Sequence, residues 1–245
     1  MVGVKDGIEY EFIKGNVESK INLVFIHGIG FNKNYFQPVA DELKEYNRYL
    51  IDLPGHGGSV DSGCDLVNYI NAVSDFLRTI DNAVVIGHSL GGTITLAIAI
   101  RRIHTVKAVM VIAGGAESSE YGRELLRKID DGMEDFEAVK KAFGNVDDKV
   151  LKIFNYTETN RIVLNDIKAA MSVNILNSIY AIDIPSIIVS CEDDKLYPLE
   201  QAKSVHERIK NSKLLVYKEQ GVILPIVKKD EMIQEIRELI KEIEN

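Results

Sequence analysis

Cysteine is scarce in this sequence, since only Cys64 and Cys191 occur among 245 residues. Their spacing fits neither a disulfide framework nor a metal-binding pattern, and we predict that both are reduced and buried. An apolar N-terminal segment typical of signal peptides is missing, and no apolar run approaches the roughly 18 residues of a membrane span. We therefore expect a cytoplasmic protein that has no membrane partner.

Positive charge is also in short supply. The sequence contains 29 Lys and Arg residues against 37 Asp and Glu residues, which gives a formal net charge of −8. Such a balance disfavours binding to nucleic acids or anionic membranes, because both would repel the protein. The expected partner is instead a small molecule, and the sequence leaves the oligomeric state open.

Short apolar runs alternate with segments of helical periodicity over most of the chain. The runs that we predict to be strands buried on both faces are residues 21–28, 47–55, 82–89, 106–115, 185–193 and 212–219. Residues 65–80 and 232–243 carry apolar side chains at the spacing of an amphipathic helix. This alternation predicts an α/β fold with a mostly parallel sheet and helices on both faces.

Residues 116–182 interrupt the alternation, because they contain helix-like segments and no strand pattern. We predict a core domain formed by residues 1–115 and 183–245, with residues 116–182 inserted as a helical cap. A cap would exclude water from a site at the carboxyl ends of the strands, where open α/β sheets bind ligands. The alternative is a helical decoration that only stabilises the sheet.

A candidate nucleophile lies in the segment Gly87-His88-Ser89-Leu90-Gly91, which fits the pattern G-x-S-x-G between a predicted strand and a predicted helix. A sharp turn crowds the backbone, so the two flanking positions need glycine. The turn presents the Ser89 hydroxyl at a helix N-terminus, where the amide of Leu90 can donate to an oxyanion. The alternative is a purely structural glycine-rich turn.

These features resemble the α/β-hydrolase family, and two further motifs extend the resemblance over nearly the whole chain. His27-Gly28-Ile29-Gly30 is similar to the oxyanion segment H-G-x-G, and residues 52–59, DLPGHGGS, are similar to the loop D-x-P-G-x-G-x-S. The resemblance implies an α/β-hydrolase fold with no cofactor and no metal. It also implies an oxyanion hole formed by the amides of Ile29 and Leu90.

The orienting acid of the family follows a later strand. Residues 191–198, CEDDKLYP, resemble the segment G-x-x-D-x-x-x-P with Cys191 in place of glycine. This resemblance assigns the acid to Asp194, four residues before Pro198. The neighbouring Asp193 is the alternative, and both are open to interpretation as solvated loop carboxylates.

The general base is missing from its expected position. In the family a histidine follows the last strand, but Val222 occupies that place between Gly221 and Pro225, and no histidine follows His206. Valine has no atom that accepts a proton. We therefore predict that Ser89 lacks its activating partner, a loss that costs on the order of 10⁶ in turnover.

The other histidines are expected to be structural or exposed, with His206 as the alternative of a displaced base because its helix follows Asp194. Two explanations fit the otherwise intact motifs: a deliberate substitution at position 222, or a natural loss of catalysis with the pocket kept for binding. Relaxed selection should erode several parts of a site that acts as a unit, which favours the first explanation.

The resemblance implies a serine hydrolase of carboxylic esters, similar to carboxylesterases, with low activity in this chain. C–C hydrolases, acyltransferases and perhydrolases share the same fold, so they remain alternatives within the enzyme class. A dehalogenase is disfavoured because it needs a carboxylate in place of Ser89. A non-catalytic protein that binds a ligand in the capped pocket is the alternative from a different class.

Overall fold

Eight strands form one sheet in the computed structural model, which describes residues 1–17, 19–131, 160–218 and 224–244. The strands are β1 (Val2–Lys5), β2 (Ile8–Ile13), β3 (Asn22–Ile26), β4 (Asn47–Ile51), β5 (Ala83–His88), β6 (Val106–Ile112), β7 (Ser186–Cys191) and β8 (Ser212–Tyr217). Their spatial order is β1-β2-β4-β3-β5-β6-β7-β8. Strands β3 to β8 pair in parallel, whereas β1 and β2 pair antiparallel, so the predicted mostly parallel sheet is confirmed.

Helices connect the parallel strands. They are α1 (Gln37–Ala40), α2 (Leu66–Leu77), α3 (Leu90–Ile100), α4 (Glu120–Asp130), α5 (Asn160–Met171), α6 (Leu199–Arg208), α7 (Leu224–Val227) and α8 (Lys229–Glu244), with 3-10 helices at Lys33–Phe36 and Leu176–Ala181. Both helices predicted from amphipathic spacing, α2 and α8, are confirmed. Asp65 caps the N-terminus of α2, because its carboxylate accepts a hydrogen bond from the backbone N–H of Val67.

The central strands are buried on both faces, which explains why they are continuous apolar runs. Val24 and Ile26 of β3 pack into one core with α2, α3 and α5. Leu23 and Phe25 of the same strand pack into a second core with α1 and α8. The alternation of side chains along each strand therefore divides the apolar residues between two helical layers.

Two predictions of burial, for the last strand and for one cysteine, are wrong, and one pair of strands was not predicted. Strand β8 is only partly buried because it lies at the sheet edge with β7 as its one neighbour. Cys64 is exposed in the loop before α2, whereas Cys191 is buried at the end of β7. The prediction that both cysteines are buried is therefore wrong for Cys64. The hairpin of β1 and β2 was not predicted, because its half-exposed residues lack a continuous apolar run.

The predicted cap is described in part, at residues 116–131 and 160–182. Helices α4 and α5 pack against each other, and α5 also contacts α2 and α3. A single β-bridge joins Glu117 to Asn174 at the base of this region. None of the helices in the described part of the chain combines the length and apolar character that crossing a bilayer requires.

Candidate active site

The candidate nucleophile Ser89 occupies a sharp turn between β5 and α3. Its backbone has φ 53° and ψ −117°, a left-handed conformation that residues with a side chain rarely adopt. The Ser89 N–H donates to the carbonyl of Ile112 at 2.8 Å, and its carbonyl accepts from the N–H of Thr93 at 3.0 Å. The neighbouring strand and the first turn of the helix thus hold the strained residue in place.

Glycines on both sides of Ser89 allow the backbones to approach closely. A Cβ on Gly91 would lie 2.5 Å from the carbonyl oxygen of His27 and would also overlap that of Ile26. A Cβ on Gly87 would overlap the carbonyl of Gly91. Helix α3 therefore approaches the end of β3 only because Gly91 lacks a side chain, and it approaches the end of β5 only because Gly87 lacks one.

The segment that follows β3 lies directly against the nucleophile. A Cβ on Gly28 would be 2.9 Å from the Cβ of Ser89. The carbonyl of Gly28 accepts hydrogen bonds from Nδ1 of His27 at 2.8 Å and from the N–H of Phe31 at 3.2 Å. Since N–H and C=O point in opposite directions across a trans peptide, the N–H of Ile29 points away from these donors.

The second predicted oxyanion donor is the amide of Leu90, the first residue of α3. The first N–H groups of a helix have no acceptor within the helix and lie at its partially positive end. Leu90 and Ile29 are both buried in the same apolar core. The structure therefore brings Ser89 and both predicted oxyanion residues together.

Asp194 lies three residues after β7 and is positioned by its own loop. Its Oδ1 accepts hydrogen bonds from the N–H groups of Leu196 and Tyr197, each at 2.9 Å. Burial raises the pKa of the Asp194 carboxyl, and these hydrogen bonds act in the opposite direction. The neighbouring Asp193 is exposed. The geometry thus favours Asp194 over Asp193 as the acid.

The loop that carries Asp194 also contacts α3, the helix that follows Ser89. The hydroxyl of Tyr197 lies 3.3 Å from Oγ1 of Thr93, one turn after Ser89 in α3. Strands β5, β6 and β7 are consecutive neighbours in the sheet. Parallel strands lie about 4.8 Å apart, and β5 and β7 are separated by one strand. The carboxyl ends of these strands, which carry Ser89 and Asp194, are therefore about 10 Å apart on the same side of the sheet.

The expected position of the base, Val222, lies outside the described residues, which stop at 218 and resume at 224. All five histidines of the chain are described. His27 is occupied at both ring nitrogens, because Nδ1 donates to the Gly28 carbonyl and Nε2 accepts from the N–H of Leu53 at 3.0 Å. Burial, with a further effect of His56, lowers the pKa of His27 to about 3, so it would not accept a proton at neutral pH.

The displaced-base alternative is wrong for His206. Its Nδ1 lies 2.7 Å from Oγ of Ser212, the first residue of β8. Ser89 instead follows the last residue of a parallel strand. His206 and Ser89 therefore lie at opposite ends of the strands, separated by a strand length of about 20 Å. The ring of His88 stacks on Tyr35 at 4.8 Å between centroids, and His104 is exposed.

A charged network fixes the loop of residues 52–59 beside the oxyanion segment. The buried Asp52 accepts hydrogen bonds from both the backbone N–H of Lys33 at 2.7 Å and its Nζ at 2.5 Å. The same Nζ lies 2.5 Å from Glu9. Although burial opposes the charge, these two carboxylates raise the pKa of Lys33. The loop motif is therefore anchored by an ion pair inside the fold.

Asp166, on α5 of the predicted cap, is a fully buried carboxylate that the sequence analysis missed. It contacts Gly30 of the oxyanion segment, Tyr69 of α2 and His56 of the 52–59 loop. A signal existed in the sequence, because Asp166 occupies a position on the apolar face of its helix. The buried residues on that face are Ile162, Val163, Ile167 and Ala170.

In the described residues, no group of three or more acidic, histidine or cysteine side chains forms a metal site.

The fold and the site define the class to which this protein belongs. The chain belongs to the α/β-hydrolase family, whose sequence model matches residues 23–217. The structure is similar to that of a lipase-esterase related protein from Clostridium acetobutylicum, with a TM-score of 0.85 and 26% identity over 95% of this chain and 99% of the other.

Curated relatives match shorter parts of the chain. A pimeloyl-[acyl-carrier protein] methyl ester esterase of Shewanella woodyi is 36% identical over 91 residues, which is 37% of this chain and 35% of that protein. A 2-succinyl-6-hydroxy-2,4-cyclohexadiene-1-carboxylate synthase of Escherichia coli is 32% identical over 110 residues, 43% of this chain and 44% of that protein. The chain thus matches between a third and a half of the length of these relatives.

Proposed function

We propose that the chain is built as a serine hydrolase of small carboxylic esters, with the acyl intermediate formed on Ser89. The observation that carries this proposal is the left-handed backbone of Ser89 in contact with Gly28 at the end of a buried strand. Such a conformation costs about 1–3 kcal/mol and persists at functional sites, where the surroundings enforce it. The esterase names of relatives support the same reaction class.

In the proposed reaction Oγ of Ser89 attacks the ester carbonyl carbon, and the carbonyl oxygen becomes an oxyanion. The N–H groups of Ile29 and Leu90 donate to this oxyanion, the alcohol leaves, and water then hydrolyses the acyl-enzyme. In a competent form, a histidine at position 222 takes the serine proton and returns it to the alcohol, and Asp194 orients the ring. No cofactor takes part in these steps.

We further propose that this chain is impaired because Val222 cannot take the proton of Ser89. Loss of the base from such a unit lowers turnover on the order of 10⁶, or about 8 kcal/mol. Binding and the oxyanion donors alone keep roughly 10³ to 10⁴ over the reaction in water. The contacts and low pKa of His27 support this proposal, since this histidine, two residues before Ile29, is already occupied at both ring nitrogens.

Val222→His tests both parts of the proposal. We expect hydrolysis of a p-nitrophenyl ester to rise by several orders of magnitude, up to about 10⁶, because the base is restored. The matched control adds Ser89→Ala in the same background and should return the rate to that of the parent chain. Mass spectrometry after incubation should show an added acyl group only when Ser89 is present. A Val222→His variant that gains nothing over the parent would overturn the proposal.

A non-catalytic ligand-binding protein is the second candidate. The observation that favours it is that four of the five proposed site residues fit their roles while position 222 carries an apolar side chain. On this proposal, calorimetry would detect ester binding to both the parent and the Val222→His variant, and neither would release alcohol. Turnover by Val222→His would exclude this candidate.

A further inference from the structure

The two peptide groups around Ile29 are held from opposite sides. The preceding group is held at the Gly28 carbonyl by two donors of the core, the His27 ring and the Phe31 N–H. The following group is held at the Gly30 N–H, which donates to Oδ2 of Asp166 at 2.9 Å. Gly30 has φ 68°, so the chain turns sharply at this position. A contact with the predicted cap thus holds the peptide group that directly follows the one carrying the Ile29 N–H.

Asp166 is fully buried and its oxygens meet three groups from separate parts of the core. Oδ1 accepts from the hydroxyl of Tyr69 at 2.9 Å, while Oδ2 accepts from Gly30 and lies 3.1 Å from Nε2 of His56. A buried carboxylate is destabilising unless such partners replace its water. Removing it would leave the Gly30 N–H as a buried donor without an acceptor.

His56 connects Asp166 to the other side of the oxyanion segment. Its ring packs edge-on against the ring of His27 at 4.7 Å between centroids. His27 in turn donates to the Gly28 carbonyl. The carboxylate thus reaches both peptide groups around Ile29, directly at Gly30 and through two rings at Gly28.

Helix α5 packs directly on the core beside the oxyanion segment. The Cδ1 atom of Ile162 would be only 2.9 Å from a Cβ on Gly55, so the helix packs on the backbone of the 52–59 loop. Arg161 also pairs with Asp61 at 2.6 Å, but that pair is largely exposed and contributes little. The buried contacts of Asp166 are therefore the specific link between this helix and the site.

We propose that Asp166 is a positioning residue of the oxyanion hole, through which a helix of the predicted cap sets the direction of the Ile29 N–H. This inference rests on the proposed function, because it assigns the Ile29 N–H to the oxyanion. Asp166 itself does not touch the reacting atoms. Its effect is expected on the transition state rather than on the bound ester.

The test compares three variants in the Val222→His background. Asp166→Leu removes both acceptor oxygens and keeps the branched arrangement of side-chain heavy atoms, Asp166→Asn keeps one oxygen for the Gly30 N–H, and Tyr69→Phe removes only the contact at Oδ1. We expect Asp166→Leu to lower kcat by about 10- to 100-fold, below the 10² to 10³ for complete loss of an oxyanion donor. KM should change less than about 2-fold, since ester binding does not require the oxyanion contact.

The conservative variants separate positioning from simple destabilisation. Asp166→Asn should retain kcat within about 5-fold of the reference and Tyr69→Phe within about 3-fold, because both leave an acceptor for Gly30. Melting temperatures are measured for all variants. Loss of kcat in Asp166→Asn equal to that in Asp166→Leu, or a loss that follows the melting temperature in every variant, would overturn the proposal.

Amide hydrogen exchange of Gly30 provides a readout that needs no activity. In the parent chain, with Val222 in place, Asp166→Leu should reduce the protection of the Gly30 N–H at least 10-fold relative to Tyr69→Phe. Unchanged protection would contradict the inference whatever the enzyme does. Reduced protection together with an inactive Val222→His variant would instead contradict the proposed function and leave the Asp166 contact established.

Discussion

The two sides of the candidate site are built in different ways. On the nucleophile side, Ser89 is positioned by backbone contacts, with glycines where β3, β5 and α3 meet, and the neighbouring oxyanion segment is also held by the side chains of His27 and Asp166. On the acid side, Asp194 is held by two hydrogen bonds from the backbone of Leu196 and Tyr197 in its own loop after β7. The first side is formed where three secondary-structure elements meet, whereas the second is formed within one loop, which contacts α3 through Tyr197.

This difference is consistent with the proposal that Val222 replaces the base while the rest of the site remains. The geometry of Ser89 follows from interactions that the fold needs for its stability, so a change at position 222 does not remove it. Chemistry and stability are therefore largely separable on the acid side and coupled on the nucleophile side. Three predictions test this contrast, in addition to those for Val222 and Asp166.

The largest effect is expected for Asp194→Asn in the Val222→His background. The amide cannot stabilise a histidine cation and favours the wrong ring tautomer, so kcat should fall by about 10⁴. Asp193→Asn is the matched control, because the neighbouring carboxylate is exposed, and it should leave kcat within about 2-fold. Kinetics with a p-nitrophenyl ester would measure both variants. Equal losses would contradict the assignment of the acid to Asp194, and a larger loss in Asp193→Asn would reverse it.

An intermediate effect is expected on the nucleophile side for Gly91→Ala. The new Cβ would overlap the carbonyl oxygens of Ile26 and His27, which are backbone atoms that cannot move independently. We expect the free energy of unfolding to fall by about 3 kcal/mol. Urea denaturation measures it.

Gly92→Ala serves as the control in the same helix. Its Cβ would lie 3.2 Å from the Cα of Gly114, a contact that needs only a small shift. The gain in helix propensity of about 1 kcal/mol should offset this strain. Equal destabilisation of the two variants would show that the close approach of α3 to β3 is not what requires glycine.

The smallest effect is a pH-dependent stabilisation by Asp194→Asn. Because burial raises the pKa of the folded carboxyl above the ordinary value of 3.8, the folded state binds more protons than the unfolded state in that window. The parent therefore loses stability as pH rises from the ordinary pKa through the raised pKa of the folded state. Melting curves should show Asp194→Asn gaining over the parent from pH 4 to pH 7. A difference independent of pH would contradict this sign.

Much of the fold was predictable because its signals are local. Buried parallel strands such as β3 and β5 are continuous apolar runs, and the turn at Ser89 carries its glycines in the sequence. The hairpin of β1 and β2 was missed because its exposure depends on a position at the sheet edge. Cys64 was misplaced for a related reason, since burial of a loop residue is decided by tertiary packing.

The site was predictable to the extent that motifs define it. Ser89, Ile29, Leu90 and Asp194 all follow from short patterns after strands, and the structure brings the first three together. The network of Asp166 joins residues far apart in the chain, with Gly30 136 positions away. No local spacing encodes such a contact, although an acid on an apolar helix face indicated a buried partner.

The attachment of α5 through Asp166 has a consequence for recombination between relatives. A transplanted cap segment that carries no carboxylate at the position of Asp166 would leave the Gly30 N–H, which this carboxylate accepts from, without its acceptor. Chimeras made to change substrate range would then lose rate for a reason unrelated to the shape of the pocket. Grafts should therefore exchange Asp166, His56 and Tyr69 as a set.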